Sequence, residues 1–382
     1  MQVHVPAMRG KMGTRTYYAC LMPLEAIENM FRFDPEARQW AELSPEQREQ
    51  RALNRGRVPA ITSYILDNED DYLFASITAS YKSKPVFLPY HEGQDIGTLQ
   101  IKLGDELTIN DGQHRCAAIV EAVKRNPALA EQTISVLLFP WENTGRVQQM
   151  FTDLNRHVVK TSKSIDVLFD KRDPISIATM FSLDKVPVFK EYTEKVDASL
   201  KAKSTKLFTL AALYDANHDL LRDFDEKDIE ESAKHLTEYW SVVADNIPAW
   251  GKVVAGRTTA QELRSETIAA HSTVLRALGG LGADLMKEPD WKDRLTRLAT
   301  IDFSKANPQW QNVCIVANSV VSNRQARAAT KAFIKNELGL PLSDAETKSI
   351  AHGVALDAAT ALAATTAAAA AAAAGEDSEV LA

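Results

Sequence analysis

The segment Asp111-Gly112-Gln113-His114-Arg115 combines residue types that suit the binding of a phosphate group. Gly112 has no side chain, so a ligand or another stretch of backbone can come close to it. Arg115 carries a fork of N–H donors that matches phosphate oxygens, and His114 can donate or accept a proton near neutral pH. Asp111 is a candidate helix cap or metal ligand. A simple turn with a capping aspartate is the alternative, and the sequence leaves both open.

The surrounding pattern predicts that this segment lies where a strand ends and a helix begins. Residues 106–109 are typical of a short strand. Cys116, Ile119, Val120 and Val123 follow at helical spacing and would form one buried face. The first turn of a helix offers unpaired backbone N–H groups and the positive end of the helix dipole. Both features favour an anion such as a phosphate or a nucleotide.

A second polar cluster follows one strand and one helix later. It consists of Asn155, Arg156, His157, Lys160, Thr161, Ser162, Lys163 and Ser164. The two clusters are candidates to face one another across a small sheet. The alternative for the second cluster is a solvated helix end followed by a capping serine, Ser162 or Ser164.

The elements that must position these clusters are predicted from apolar periodicity and turn residues. Up to residue 43, short apolar runs alternate with turns, and Ser44-Pro45-Glu46-Gln47 is typical of a helix start. A helix is expected at residues 58–66. Strands are expected at residues 74–80, 85–88, 99–103, 106–109 and 134–139. Beyond about residue 175 almost no strand pattern remains, and helices are expected at residues 190–221, 226–244, 259–286, 291–299 and 323–337.

This order predicts an α+β fold, with a small mixed sheet and helices followed by a helical domain. We divide the chain into an α+β domain at residues 1–172, a helical domain at residues 173–350 and an alanine-rich, acidic-ended tail at residues 351–382.

Composition limits the classes of function. The chain has 382 residues and a formal net charge of −7, which excludes a globally basic nucleic-acid binder. Its three cysteines are far apart and lack metal-site spacing, which argues against disulfides and structural zinc. We find no signal-peptide pattern and no membrane-spanning stretch, and we expect a cytoplasmic protein that does not contact membranes. Motifs of P-loop ATPases, HExxH metalloproteases and α/β-hydrolases are absent from the sequence.

DNA contacts on such a chain need local basic clusters. The candidates are Arg48, Arg51, Arg55 and Arg57; Arg156, His157, Lys160 and Lys163; Lys201, Lys203 and Lys206; and Arg324, Arg327, Lys331 and Lys335. An ordinary solvated surface is the alternative for each, and the second cluster is favoured because it adjoins the motif. No helix-turn-helix pattern identifies a helix that reads bases.

The string INDGQHRCAAI resembles the namesake motif of DGQHR-domain proteins, and QQMFTDLNRHVVKTSKSI resembles their companion motif. The DndB family of DNA phosphorothioation systems carries both. Further segments that resemble this family are YILDNEDDYLFASITAS, ALNRGRVPAI and STKLFTLAALYDA, so the resemblance runs from about residue 5 to residue 217. The DGQHR group is itself similar to the wider ParB/sulfiredoxin-like class.

The resemblance matches Gly112 and Arg115, with Gln113 and His114 between them, to a helix start that binds nucleotide phosphates. Together with the neighbouring polar residues, the nucleotide- or phosphate-binding candidates are Asp111, Gly112, Gln113, His114, Arg115, Asn155, Lys160 and Ser162. The DNA-binding candidates are Arg55, Arg57, Arg156, His157 and Lys163 from the basic clusters, and Cys20 from the resemblance. Cys20 matches loosely a cysteine that is important for DNA binding in similar proteins, and a buried core cysteine is the alternative. No catalytic residue and no metal ligand is assigned.

Three functions follow as hypotheses. The first, implied by the DndB resemblance, is a repressor of the modification genes that binds double-stranded promoter DNA and is a candidate for gating by a nucleoside triphosphate. The second is a nucleotide hydrolase or DNA nickase that uses the same motif. The third is an adaptor that contacts other modification proteins through its helical half. The oligomeric state is left open, with a homo-oligomer as a candidate.

Overall fold

The chain forms two compact units, Met1–Val159 and Lys160–Ala382. A computed structural model describes residues 2–31, 55–102, 107–156, 161–224 and 228–352. The predicted helix start at Ser44, together with Arg48 and Arg51, lies outside the described residues. The first unit contains a mixed sheet with helices and the second is almost entirely helical, which confirms the predicted fold class.

The first unit is built on a sheet that has seven strands in its described part. The strands are β1 (Gln2–Met12), β2 (Arg15–Pro23), β3 (Ile77–Tyr81), β4 (Val86–Pro89), β5 (Ile96–Lys102), β6 (Leu107–Asp111) and β7 (Thr133–Pro140). Their order in the sheet is β4-β5-β1-β2-β7-β3-β6. Strands β3 and β7 are parallel, and the other neighbours are antiparallel.

The long N-terminal hairpin of β1 and β2 differs from the short runs and turns that we expected before residue 43. In this hairpin Ala7 lies opposite Cys20. Val5 and Ala7 are buried, whereas Met8 and Met12 on the same strand are exposed. Apolar residues therefore occupy both faces of β1 and hide the two-residue period by which a strand is recognised.

Helices α1 (Ile27–Met30), α2 (Val58–Asp67), α3 (Gln113–Arg125) and α4 (Thr144–Arg156) belong to the first unit. Short 3-10 turns lie at Leu24–Ala26, Arg55–Arg57 and Pro127–Leu129. The expected buried face of α3 is confirmed, because Cys116 and Ile119 are fully buried. Helix α3 packs against α2, and α4 packs against β6. Both helices that border the motif are thus held by tertiary contacts.

The second unit contains the remaining described helices. They are α5 (Lys163–Phe169), α6 (Pro174–Lys185), α7 (Pro187–Tyr192), α8 (Leu210–Leu220), α9 (Ile229–Asp245), α10 (Pro248–Val254), α11 (Ala260–Glu266), α12 (Ser272–Leu285), α13 (Trp291–Leu295), α14 (Arg324–Glu337) and α15 (Asp344–His352). Two-residue strands pair as β8 (Thr193–Glu194) with β9 (Phe208–Thr209) and as β10 (Ile315–Val316) with β11 (Ser319–Val320), and 3-10 turns lie at Thr296–Thr300 and Pro308–Trp310.

The core of the second unit includes a buried polar network as well as apolar side chains. The Trp240 indole N–H donates to Asn217 Oδ1 at 2.7 Å, and Asn217 Nδ2 donates to Thr179 Oγ1 at 2.9 Å. Close packing of α8 and α12 depends on Gly279, since a Cβ there would collide with the carbonyl oxygen of Ala216.

The single helix expected at residues 190–221 was wrong. Helix α7 ends at Tyr192, and the Glu194 carboxylate accepts from the backbone N–H of Val196 at 2.9 Å. A loop and the β8–β9 pair follow before Thr209 caps α8. Side chains of this segment form hydrogen bonds with nearby backbone N–H groups, so the segment turns instead of continuing the helix.

The single helix expected at residues 259–286 was also wrong. Thr259 and Glu262 form a capping box at the start of α11. His271 begins α12, because its Nδ1 accepts from the Thr273 N–H at 3.2 Å. Across the described residues, no helix is both long enough and apolar enough to span a bilayer.

Candidate functional site

The candidate site is the junction of β6 with α3, where the predicted motif lies. Strand β6 ends at Asp111 and α3 begins at Gln113, so Gly112 alone makes the turn. Gly112 has φ +105°, a conformation that side chains disfavour. A Cβ at this position would lie 3.2 Å from Arg115 Nη2 and 3.3 Å from Ile77 Cγ1. The predicted need for glycine therefore has two causes here, the backbone angle and the close packing.

The Arg115 guanidinium holds the junction together. It donates to the carbonyl of Ala75, to the carbonyl of Ser76 at 3.2 Å and to the Asp111 carboxylate. Only 17% of the Arg115 side chain is exposed. These bonds tie the first turn of α3 to the chain just before β3. Arg115 thus positions the turn, and much of its donor capacity is already used by the protein.

The N-cap residue of α3 provides no side-chain cap. The residue at the cap position is Gly112, and the carboxylate of Asp111, our candidate cap, pairs with Arg115 instead. An α-helix leaves its first backbone N–H groups without partners inside the helix. The positive end of the helix dipole at this start favours an external anion.

The start of α2 lies beside the start of α3. Helix α2 packs against α3. Burial lowers the pKa of His114, and the positive charge of Arg57 lowers it further. Arg57 is exposed and immediately precedes α2, whose first turn also lacks a side-chain cap. Gln113 and His114 are half-buried. Two helix starts, an exposed arginine and a neutral imidazole therefore share one region of the first unit.

The second predicted cluster is only partly described. Asn155 and Arg156 end α4, but their side chains, with all of His157 and Lys160, lie outside the described part. Whether this cluster faces the motif stays a prediction.

Ser162 and Lys163 belong to the second unit and are both engaged there. Ser162 caps α5 by accepting from the Ile165 N–H at 3.2 Å, which confirms one of the two predicted caps. The Lys163 ammonium pairs with Asp215 and lies 4.9 Å from the centre of the Tyr214 ring.

Arg55 and Cys20 complete the residues singled out for DNA. Arg55 begins the 3-10 turn before α2, and its side chain lies outside the described part. Cys20 is 2% exposed on β2, and its thiol donates to the Val136 carbonyl at 3.5 Å. Burial raises the pKa of this thiol to about 12. Its position agrees with the alternative of a core cysteine, and contact with DNA would require the sheet to open.

No group of three or more His, Cys, Asp or Glu side chains is placed to hold a metal ion within the described residues. The arrangement at the motif suits binding of an anion through backbone N–H groups and Arg57.

A family model described as DndB, DNA-sulfur modification-associated, matches residues 5–341. The chain belongs to the DndB family. The match covers both units and extends well beyond the DndB resemblance that we drew from motifs. Neither the curated proteins nor the solved structures give a significant match. The narrower assignment to a DGQHR or ParB/sulfiredoxin-like class stays a prediction.

Two features of this DndB-family site were missed from sequence. The carbonyls of Ala75 and Ser76, which fix Arg115, come from a chain segment about 40 residues away, and backbone acceptors carry no residue-type signal. The proximity of Arg57 to His114 depends on how α2 packs against α3. Asp111 and Arg115 are four residues apart on adjoining elements. This spacing is the sequence feature from which their ion pair could have been predicted.

Proposed function

We propose that this DndB-family protein is a DNA-binding regulator of DNA phosphorothioate-modification genes. In this proposal the start of α3 receives a phosphate group, either from DNA or from a gating nucleoside triphosphate. The family's association with DNA sulfur modification supports the biological setting. The carrying observation is the glycine N-cap Gly112 at the start of α3, together with the charge of Arg57 near His114.

Charge supports a local contact rather than a broad one. The chain has a net charge of −7, so its overall charge does not attract DNA. Arg57 is exposed, and no ion pair of its side chain is found among the described residues. Backbone N–H groups at a helix start add attraction for phosphate without adding a formal charge. Arg115 acts in this proposal by holding Gly112 and the first turn in place.

The test is an electrophoretic shift with the promoter of the neighbouring modification genes, with and without ATP, GTP or CTP. Arg57→Ala should weaken promoter binding about tenfold and reduce the slope of log affinity against log salt by about 1, because one phosphate contact is lost. Arg125→Ala is the matched control. It removes an arginine from the far end of α3, where Arg125 pairs with Glu121.

Two results would refute the regulator. One is a wild-type protein that binds the promoter no more tightly than random duplex of equal length. The other is equal binding by Arg57→Ala and Arg125→Ala, which would remove the motif from the DNA contact.

The second candidate function is nucleotide hydrolysis or DNA nicking at the same site. The observation that favours it is the position of His114 in the first turn of α3, where burial and the charge of Arg57 lower the pKa of the imidazole and favour its neutral form. Turnover in the same binding reactions that is lost in His114→Ala would support it. Turnover that persists in this variant would exclude His114 as the base.

A further inference from the structure

A cavity of about 390 Å³ lies within the second unit, and its lining includes no residue that the proposed function uses. Its walls come from the loop after β8, from β9, from the start of α8, from α11 and the segment that joins it to α12, and from Lys305. Pockets of this size accept small-molecule ligands up to about the size of a nucleotide. Its basic lining residues are Arg264, His271 and Lys305.

Arg264 is held in place by backbone carbonyls. Its guanidinium donates to the carbonyls of Lys201 at 3.3 Å, Ala202 at 3.1 Å and Ser204 at 2.8 Å. The Nε atom is buried and has no hydrogen-bond partner. Carbonyls orient the guanidinium without neutralising its charge. The same bonds bring the exposed Lys201 and Lys203 to the loop that borders the cavity.

Lys305 places a second cation beside the first. Its ammonium donates to the carbonyl of Arg264 at 2.7 Å and is half-buried. Burial and the charge of Arg264 lower the pKa of Lys305. Like charges are therefore held close together in a partly desolvated position, which is unfavourable unless an anion is bound between or near them.

His271 adds a neutral donor. Its Nδ1 accepts from the backbone N–H of Thr273, so the neutral ring carries its proton on Nε2. Burial and the nearby charge of Lys305 lower the pKa of His271 to about 4. The ring remains neutral in the physiological range and can donate one hydrogen bond to a ligand oxygen. His271 also places the cavity at the start of α12, a helix of 14 residues.

The lining contains no aspartate or glutamate. Its other polar members are the hydroxyl residues Ser199, Thr209, Thr267 and Ser272, and its apolar wall includes Leu207 and Phe208. Within the described residues, Arg264 and Lys305 donate to backbone carbonyls and take part in no ion pair. A carboxylate would be the usual partner for partly buried cations. The geometry thus leaves the position of the counter-ion open.

We propose that this cavity binds a phosphate-bearing ligand, with Arg264 and Lys305 contacting the phosphate oxygens and His271 donating to one of them. The phosphate belongs either to a free nucleotide or to the backbone of DNA. The volume of about 390 Å³ fits a mononucleotide with its phosphate at the cationic wall. The site is independent of the motif in the first unit.

The experiment is isothermal titration of the full chain with ATP, AMP, pyrophosphate and a short DNA duplex. The variants are Lys305→Gln and Arg264→Gln, with Lys234→Gln as a matched control, since Lys234 is a solvent-exposed lysine of the same unit. Thermal melting confirms that each variant is folded. Because Arg264 also organises its loop, Lys305→Gln keeps the test valid if Arg264→Gln is unstable.

We expect Lys305→Gln to weaken binding of the phosphate ligand about tenfold or more, and Lys234→Gln to change it less than about twofold. Loss of ATP, AMP or pyrophosphate binding assigns the cavity to a free nucleotide or phosphate. Loss of duplex binding alone assigns it to the DNA backbone. Either loss supports the proposal.

Three results would overturn it. The first is that no probe binds the wild type at millimolar concentration. The second is that Lys305→Gln and Arg264→Gln bind every probe as the wild type does. The third is that binding disappears in Arg57→Ala and persists in Lys305→Gln, which would assign the ligand to the motif of the first unit.

Discussion

Replacing Gly112 with alanine should destabilise the first unit through two separable effects. The backbone at φ +105° disfavours a side chain, which costs about 1–3 kcal/mol. The new Cβ would also lie 3.2 Å from Arg115 Nη2 and 3.3 Å from Ile77 Cγ1, closer than ordinary van der Waals contact. Displacing these neighbours adds about 1 kcal/mol or more. We expect a total loss of about 2–4 kcal/mol in the free energy of unfolding.

Gly93→Ala is the matched control, because Gly93 also has a positive φ, +80°, but a Cβ there meets nothing within 4 Å. It should show the backbone cost alone. The measurement is urea unfolding followed by hydrogen exchange of peptides from β6 and α3, which reports on the first unit separately from the second. In a thermal melt, the loss in Gly112→Ala corresponds to a decrease of roughly 5–15 °C in the Tm of the first unit.

Equal losses in Gly112→Ala and Gly93→Ala would refute the packing argument, because they would show that the neighbours of Gly112 do not resist a methyl group. A loss confined to Gly112→Ala with normal promoter binding would separate the stability of the junction from its proposed role in binding phosphate.

Three further predictions concern thiols, pH and helix packing. Burial raises the pKa of all three cysteine thiols, to about 12 for Cys20. Iodoacetamide at pH 8 should therefore label the native protein very slowly and the urea-unfolded protein at all three positions. Rapid labelling of Cys20 in the native protein would favour its direct access to DNA. In the folded protein the pKa of His271 is about 4, below its ordinary value of 6.5. As the pH falls, the unfolded chain therefore binds a proton at this histidine before the folded protein does. About 3 kcal/mol of the free energy of unfolding should be lost between about pH 7 and pH 4. His271→Asn keeps a capping side chain and should remove most of that pH dependence in urea titrations; an unchanged pH profile would contradict the assignment. Gly279→Ala should destabilise the second unit by about 2 kcal/mol or more, because α8 and α12 must separate to make room for a Cβ beside the Ala216 carbonyl. A melting temperature within about 1 °C of the wild type would contradict this close approach.

The strands that could be predicted from the sequence are those whose apolar residues are bounded by turn residues. Strands β3 to β7 were found within a few residues of their observed bounds, as was helix α14. The β1–β2 hairpin was not, because exposed methionines obscure its alternation. Which strands are neighbours in the sheet also could not be predicted. Strand β1 pairs with both β2 and β5, and this arrangement depends on contacts across the whole sheet.

The candidate site could be located from sequence but not explained by it. The residue types of the motif indicated a turn into a helix, and Gly112 and α3 agree with that prediction. The part played by Arg115 depends on carbonyls that any residue type could provide. The cavity of the second unit could not be predicted for a related reason. The cavity forms only because the chain breaks between α11 and α12. His271 caps α12, and histidine indicates a helix start less clearly than serine, threonine or aspartate does, so the break could not be predicted.

The order of strands in the sheet has a consequence for how the protein is made. Cys20 lies opposite Val136, which is 116 residues later along the chain. Likewise, β1 can pair with β5 only after β5 has been synthesised. During synthesis at about 5–20 residues per second, the N-terminal hairpin therefore emerges many seconds before its partner strands. The apolar side chains that it later buries, such as Val5 and Ala7, are exposed on the ribosome for that time, as is the open edge of β2. Nascent chains should consequently need a holding chaperone, and synthesis slowed before β7 emerges should increase aggregation.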